Sequence, residues 1–437
     1  MSDIHVGILG FGTVGAGTVE VLTTNREIIS NRVGADVIIK GIADLNIHSD
    51  RGVDIDPGLL TRDALAVIDD PGIQIIVELI GGMDQAKSFI LHAMEKGKHV
   101  VTANKAVLAE HGEEIFTAAE QCGVTLAFEA SVGGGIPLIG ALRNGLSANR
   151  IRNCMGILNG TSNYILTKMT QDGLPYAQVV QEAVDLGFAE DPPTLDVDGT
   201  DAAHKLTIMM SMAFGHPVPY DAVYREGITA LTPDDIRFAG EFGYSVKLLA
   251  IGKDLGDRME ARVHPAMVPD DHILANVDEA FNAIYIEGDF VGPNLYYGLG
   301  AGRRPTGSAV CSDIIGLARQ IHLGATGVMA PLGYFIPPGT VIAVQPMDEL
   351  TTPYYFRFSA LDSPGVLSKI AGILADHRIS IASVMQKGRV ERGSVPIVML
   401  THEAMEKDVQ QAVSLIDDLP VVTDKTVVIR VEERSTG

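Results

Sequence analysis

The first third of the chain alternates short apolar runs with helix-length amphipathic stretches, and this alternation limits the possible folds more than any other feature. Ile4 to Leu9 is apolar, and a glycine turn and a helical pattern through Val19, Val21 and Leu22 follow it. Val37 to Ala43, Ile73 to Ile80, Lys98 to Thr102 and Val124 to Phe128 read as further strands. Helices such as Gln85 to Lys96 and Leu108 to Cys122 lie between them. Strands separated by helices of this length pair in parallel, because each crossover must carry the chain back to the same end of the sheet. A parallel sheet is covered on both faces, which is why these strands are nearly continuous in Val, Ile and Leu. The expected fold here is a doubly wound α/β sheet of the Rossmann type.

Its first turn, Gly10-Phe11-Gly12-Thr13-Val14-Gly15, has the dinucleotide spacing in the required place, after a strand and before a helix. Gly10 permits the tight turn, Gly12 lets backbone approach a pyrophosphate, and Gly15 lets helix and strand pack closely. The helix N-terminus then offers N–H groups and a positive dipole end to the phosphates. A nicotinamide cofactor is expected. Asp44, after the second strand, is placed to hydrogen-bond an adenosine ribose, although acids also simply end strands. Arg51 is near enough in sequence to engage a 2′-phosphate instead, so NAD and NADP both remain open.

From about Ser131 a Gly-rich segment begins, followed by longer mixed elements to about residue 345. The stretch from Pro337-Pro338-Gly339 to Thr352-Pro353 reads as a boundary or linker. Beyond it the pattern is strand, helix, strand, strand, helix, strand: Tyr354 to Ala360, a helix with Leu367, Ile370 and Leu374 on its buried stripe, Ile379 to Gln386, Ser394 to Thr401, Met405 to Ile416, and Lys425 to Val431. That βαββαβ order is ferredoxin-like. Three units are expected: residues 1–130 for the cofactor, 131–345 as an α+β domain, and 350–437.

Thirty-three Lys and Arg against fifty-five Asp and Glu give a net charge of −22. That field repels phosphate backbones and anionic lipid, so general nucleic-acid or membrane binding is not expected. No apolar run approaches the ~20 residues of a membrane span, and the N-terminus lacks a basic, apolar leader. Cys122, Cys154 and Cys311 show neither a disulfide framework nor zinc-ligand spacing. A cytoplasmic enzyme is expected.

The densest polar stretch runs from Gly187 through Glu190 and Asp196 to Lys205 and ends in a helix with Ala202, Leu206, Met209 and Ala213 as its apolar stripe. Asp201 and Lys205 stand one turn apart on one face. As a surface pair they would contribute only ~0.3–0.5 kcal/mol. In a chain that binds a nicotinamide they have another use. Hydride transfer to a carbonyl needs a proton donor for the developing alkoxide, and a Lys ammonium supplies charge and proton together. Acids around it would hold a substrate ammonium group. The residues thus point to a dehydrogenase of an amino-bearing alcohol or aldehyde.

Taken with Gly156-Ile157-Leu158-Asn159-Gly160-Thr161-Ser162-Asn163-Tyr164-Ile165-Leu166 and Thr102-Ala103-Asn104-Lys105, the segment Asp196-Val197-Asp198-Gly199-Thr200-Asp201-Ala202-Ala203-His204-Lys205 resembles homoserine dehydrogenase, in the form with a C-terminal ACT domain. The resemblance covers nearly the whole length, and it implies that 131–345 is a catalytic and dimerisation domain whose last helices return to the first unit and that 350–437 is a regulatory ACT domain. It implies NAD(P)-dependent interconversion of L-aspartate 4-semialdehyde and L-homoserine, on the route to threonine and methionine. It makes Lys205 the proton donor, Glu190 and Asp201 substrate ligands, and Lys105 a group beside nicotinamide and substrate. Gly187 and Gly302 become backbone positions facing the cofactor. One departure is Pro192, where the family usually has a small polar residue, which bears on the conformation of that loop. Ala43 replaces an Arg that many members place before the acid after the second strand.

The resemblance also implies a monovalent cation, sodium, at Glu129 and the main-chain oxygens of Val132, Gly134 and Ile136. A purely steric Gly-rich crossover is the alternative. The Asp362-Ser363-Pro364-Gly365 turn opening the ACT-like unit implies an amino-acid effector, L-threonine, and a homo-oligomer, dimer or tetramer; a tail that only dimerises is the plainer reading. Two competing functions are an amino-acid-sensing binding protein that keeps a Rossmann domain, and an acylating aldehyde dehydrogenase, which needs a nucleophilic cysteine.

Overall fold

Six strands pair in parallel in the order Leu60–Thr61, Val37–Ala43, Ile4–Leu9, Ile75–Glu78, His99–Thr102, Leu126–Ala127. The computed structural model describes residues 3–187, 192–327, 329–335, 342–386 and 394–432. Strand order reverses between Ile4–Leu9 and Ile75–Glu78, where Leu9 stands beside Glu78. Ligands of open α/β sheets bind in the crevice at such a reversal, outside the C-terminal strand ends. The expected strands are present with trimmed ends, and the helix expected over Leu108 to Cys122 begins earlier, at Lys105. Asn104 explains the earlier start: its side chain accepts from the Val107 N–H at 3.2 Å and caps the helix.

The helix Thr13–Thr24 is covered by a helix from far along the chain, Arg303–Leu323. Glycine makes the contact possible. A Cβ on Gly17 would lie 2.1 Å from the Arg303 carbonyl, and one on Gly307 would lie 2.6 Å from the Gly17 backbone. Val310, Ile314 and Leu317 of the later helix join Ile8, Val19 and Leu22 in one core.

The second sheet runs in the order Gly292–Leu299, Phe281–Gly288, Ile151–Ile157, Tyr244–Asp254, Arg258–Pro269, Val427–Val431, Tyr354–Leu361, Ser394–Thr401, Ile381–Gln386. The last four form the expected ferredoxin-like unit. It is continuous with the catalytic sheet: Arg430 and Val431 pair in parallel with Ala266 and Met267. Both faces of its first strand are consequently buried. Tyr354, Phe356 and Phe358 pack under the unit's own helices, while Tyr355 joins the core of the preceding domain. The helix Val366–Asp376 buries Val366, Ile370 and Leu374, so Val366 takes the place expected of Leu367, which is exposed. The presumed linker lies partly outside the described residues, and its later part is built into strands: Ala343–Val344 pairs with Arg258 and Met259, and Thr351–Thr352 with Ala404 and Met405.

Candidate active site

At the reversal of strand order the three fingerprint glycines have three surroundings. Gly10 has φ +98°, and a Cβ there would meet the Leu79 carbonyl at 2.6 Å. A Cβ on Gly15 would strike the Gly10 carbonyl at 2.1 Å, whereas one on Gly12 would meet nothing within 4 Å. The turn and helix packing thus require the outer two, and the middle one faces open space, as a pyrophosphate needs. Gly12 is also the N-cap of Thr13–Thr24 with no side-chain cap, so that end keeps its N–H groups for a ligand. The chain therefore fits a dinucleotide.

Asp44 does something the sequence did not reveal. Its Oδ2 accepts the Phe11 N–H at 2.6 Å and its Oδ1 accepts the Asn46 N–H at 2.7 Å, so the carboxylate ties the glycine turn to the second strand. Arg51 Nη2 lies 3.9 Å from Asp44 Oδ1. Gly302, with φ +115°, opens the helix Arg303–Leu323 that packs on Thr13–Thr24. Gly187, with φ +74°, has open space beside it after the helix Tyr176–Asp185. Glu190 lies outside the described residues.

The helix Thr200–Phe214 is buried from Asp201 to Ala213 on every side, as an element hydrophobic nearly all round must be. Asp201 and Lys205 are therefore not a surface pair. Lys205 Nζ donates to Asp201 Oδ2 and to the Leu158 carbonyl, both at 2.7 Å. Lys105, first residue of its helix, brings its Nζ to 3.1 Å from Asp201 Oδ1. Burial pushes the Asp201 carboxyl up, but the Lys205 and Lys105 charges and the hydrogen bonds from Lys205 and Asn159 outweigh it and hold it well below the usual carboxylate range. The aspartate is thus a fixed anion between two ammonium groups.

Three further residues enter this cluster from a distance. Asn159 caps the helix Gly160–Asp172 through the Ser162 N–H at 2.8 Å. Its Nδ2 also donates to Asp201 Oδ2 at 2.8 Å and Asp196 Oδ1 at 2.7 Å. Burial raises the Asp196 carboxyl above its ordinary value, against the Asn159 hydrogen bond. Asn282, wholly buried, donates to the same Leu158 carbonyl as Lys205, at 2.9 Å. The motif around Leu158 and Asn159 was visible in sequence; its contact with Asp196 and Asp201 was not. His204, next to Lys205 in the helix, stacks on Tyr220 with ring centroids 4.5 Å apart, its Nε2 3.2 Å from Glu110.

Around the Gly-rich bend, the buried Glu129 carboxylate accepts from the Ile139 N–H at 2.8 Å and the Gly140 N–H at 2.7 Å. The Glu129 N–H donates to Asp313 Oδ2 at 2.7 Å. Burial, then the Glu129 charge, pushes the Asp313 carboxyl up to about 7. Gly133 and Gly134 have φ +74° and +53°, and Gly134 lies against the Gly300 carbonyl. Among the described residues no three acidic, His or Cys side chains form a metal cluster. A cation would depend on one carboxylate and main-chain oxygens, an all-oxygen set that suits a hard ion. Cys154 and Cys311 are buried, and burial pushes both thiols up to about 12. That is the opposite of what an acylating enzyme needs.

Comparison with known proteins points to one family. Residues 10–129 match the family model for the homoserine dehydrogenase NAD-binding domain, 137–315 that for homoserine dehydrogenase, and 354–421 that for the ACT domain. A homoserine dehydrogenase of Neisseria gonorrhoeae is 44% identical over 432 residues, with 99% of each chain covered. The chain belongs to the homoserine dehydrogenase family. The Bacillus subtilis homoserine dehydrogenase is 38% identical over 99% of each chain. The crystal structure of a homoserine dehydrogenase from Thiobacillus denitrificans superposes with a TM-score of 0.93 at 45% identity, covering 99% of both chains. A hyperthermophilic archaeal homoserine dehydrogenase in complex with NADPH superposes at 0.61 and 25% identity, over 74% of this chain and 98% of that one. The protein is thus an NAD(P)-dependent oxidoreductase acting on a hydroxyl group, with homoserine and aspartate semialdehyde as its substrates and an ACT domain suited to an amino-acid effector. Among the described residues no helix is long and apolar enough to cross a membrane.

Proposed function

We propose that Lys205 is the proton donor to the aldehyde oxygen of aspartate semialdehyde, and the proton acceptor when homoserine is oxidised. The observation that carries this is the double engagement of its ammonium by Asp201 and Leu158 in a buried site. An ammonium has three N–H donors. Two are fixed, so the third is directed, and it is the one a substrate oxygen takes. Asp201 holds Lys205 and Lys105 together, and Lys105 stabilises charge developing on that oxygen. Glu190 and Asp201 bind the substrate, and Asp196 beside Asp201 adds a further acid for its ammonium.

The nicotinamide supplies the hydride. Gly10, Phe11, Gly12, Thr13, Val14 and Gly15 hold its pyrophosphate, and Gly187 and Gly302 face it through backbone. Asp44, by fixing the Phe11 N–H, orders that turn. Arg51 beside Asp44 supports acceptance of a 2′-phosphate, and NAD remains compatible with the acid. Glu129 with the carbonyls of Val132, Gly134 and Ile136 holds a sodium ion as a structural brace between the two domains. The enzyme works in the cytoplasm as a homo-oligomer on the route to threonine and methionine, and threonine inhibits it through the ACT domain. The units 1–130, 131–345 and 350–437 divide these tasks.

Initial rates of homoserine oxidation with NAD and with NADP, for the native enzyme, Lys205→Ala and Lys105→Ala, test the assignment. Loss of at least ~100-fold in kcat for Lys205→Ala is expected, the usual cost of removing a positioned acid–base group. An active Lys205→Ala with an inactive Lys105→Ala would transfer the role to Lys105. Threonine titration of the full chain tests the effector. Deleting the tail would not, since it strips Val427–Val431 from the catalytic sheet.

A further inference from the structure

Glu78 is a buried acid that the chemistry above leaves unused. It ends the strand Ile75–Glu78 at the point where strand order reverses, and it is fully shielded from solvent. A carboxylate in the middle of a parallel sheet is costly unless its oxygens are hydrogen-bonded. Here they are. Oε1 accepts the Ile80 N–H at 2.8 Å and Oε2 accepts the Thr102 hydroxyl at 2.6 Å. Burial nevertheless pushes the carboxyl up to about 7.

The bonds continue beyond Glu78. Thr102 Oγ1 accepts the Asn104 N–H at 3.0 Å. Asn104 Nδ2 donates to the Gly82 carbonyl at 2.8 Å and more weakly to the Ile80 carbonyl at 3.4 Å. The result is a closed ring, Glu78 to Thr102 to Asn104 and back through the loop 79–82 to Ile80. It joins the two strand-end loops on one side of the cofactor crevice. Asn104 is also the cap of the helix whose first residue is Lys105. That lysine has a long, flexible stem and half-open surroundings, with its side chain 41% exposed. Its reach to Asp201 therefore depends on where its backbone is held.

We propose that Glu78 is a positioning residue for Lys105, acting through Thr102 and Asn104 to fix the start of the helix Lys105–Cys122 against Asp201. The proposal rests on the reading of Lys105 as a group that assists the reacting oxygen. A uniform loosening of the sheet would weaken folding without regard to Lys105; a positioning ring acts on the rate only through that side chain.

A double-mutant cycle separates the two. Glu78→Gln keeps the shape but turns an N–H₂ towards one of two donors, and Thr102→Val removes the hydroxyl link at nearly constant volume. Each should lower kcat for homoserine oxidation on the order of 10-fold, since small misplacements of catalytic groups are costly. The affinity for NADH, read by its fluorescence, should change less than about threefold. In a Lys105→Ala background the same substitutions should cost less than about twofold, because the group they position is gone. Thr102→Ser should recover most of the loss of Thr102→Val. If Glu78→Gln or Thr102→Val costs as much with Lys105 absent as present, or costs nothing in the native enzyme, the proposal is wrong. If Lys105→Ala keeps native kcat, the reading of Lys105 fails first, and that outcome is separately visible. Should Glu78→Gln not fold, the Thr102→Val and Thr102→Ser pair carries the cycle alone.

Discussion

Lys205 Nζ and Asp201 Oδ2 lie 2.7 Å apart, one helical turn from each other, with both side chains about nine-tenths buried. Removing one partner of a buried pair leaves an uncompensated charge, typically a loss of about 3–5 kcal/mol. Asp201 also faces Lys105, so its removal takes an anion away from two ammonium groups rather than one. Asp201→Asn should therefore lose stability as well as at least ~100-fold in kcat/KM. Thermal unfolding and steady-state kinetics on the same preparation check both, and a variant with native Tm and rate would show the pair to be incidental.

The middle and last fingerprint glycines should fail differently. A Cβ on Gly12 enters open space, so Gly12→Ala should fold with near-native Tm and raise the KM for the cofactor several-fold. A Cβ on Gly15 meets the Gly10 carbonyl at 2.1 Å, so Gly15→Ala should lower Tm. Differential scanning fluorimetry beside cofactor titration distinguishes them; equal effects on both readouts would contradict the assignment of pyrophosphate approach to Gly12.

Much of this site was legible in the sequence because it is local. Gly10 to Gly15 lies within one turn, and Asp201 and Lys205 are four residues apart on one helix. What escaped reading is held by long-range bonds. Asn159 reaches Asp196 and Asp201 from another helix end, Leu158 offers only a carbonyl, and Asn282 arrives from a strand far along the chain. Asp44 was readable as an acid after a strand, but its bond to the Phe11 N–H depends on how the turn closes. The fold shows the same divide. The βαββαβ order of the tail is a local pattern, whereas its fusion with the catalytic sheet through Val427–Val431 involves backbone pairing, which side-chain alternation does not encode. Gly17 and Gly307 likewise act only where two helices far apart in sequence meet.

A buried ion pair within the ACT domain reaches across the seam to the catalytic domain. Arg430 donates to Glu406 at 2.5 Å and to Glu226 at 2.6 Å, and its side chain is 2% exposed. Arg430→Met should destabilise the protein by about 3–5 kcal/mol, because Glu406 is left buried without a cation. Chemical denaturation checks this, and Arg430→Met with Glu406→Leu together should regain part of the loss.

Acid should act on the same seam. The Glu432 carboxyl is raised by burial but more strongly lowered by Arg262 and Lys253, to about 2. A group depressed in the folded state adds stability above its unfolded value, and that stability fades as pH falls towards the folded one. Glu432 should thus contribute on the order of 3 kcal/mol at neutral pH, lost between about pH 5 and 2. Glu432→Gln should flatten the stability–pH curve across that window; an unchanged curve would place the acid sensitivity elsewhere.

Thiol chemistry should be dispensable. Cys154 and Cys311 are buried with thiols pushed up to about 12, and the exposed Cys122 closes the 18-residue helix Lys105–Cys122 at the end opposite Lys105. Iodoacetamide treatment should leave homoserine oxidation intact, with mass spectrometry reporting modification at Cys122. Inactivation in step with labelling would revive an acyl-enzyme route.

Proton donation by Lys205 is most directly tested by chemical rescue of Lys205→Ala. The variant leaves a gap between Asp201 and the Leu158 carbonyl that a small primary ammonium fits. A loss of at least ~100-fold in kcat, partly restored by ethylammonium in a saturable manner and not by tetramethylammonium at equal ionic strength, is the predicted result. A variant with near-native kcat in the absence of any added amine would contradict it.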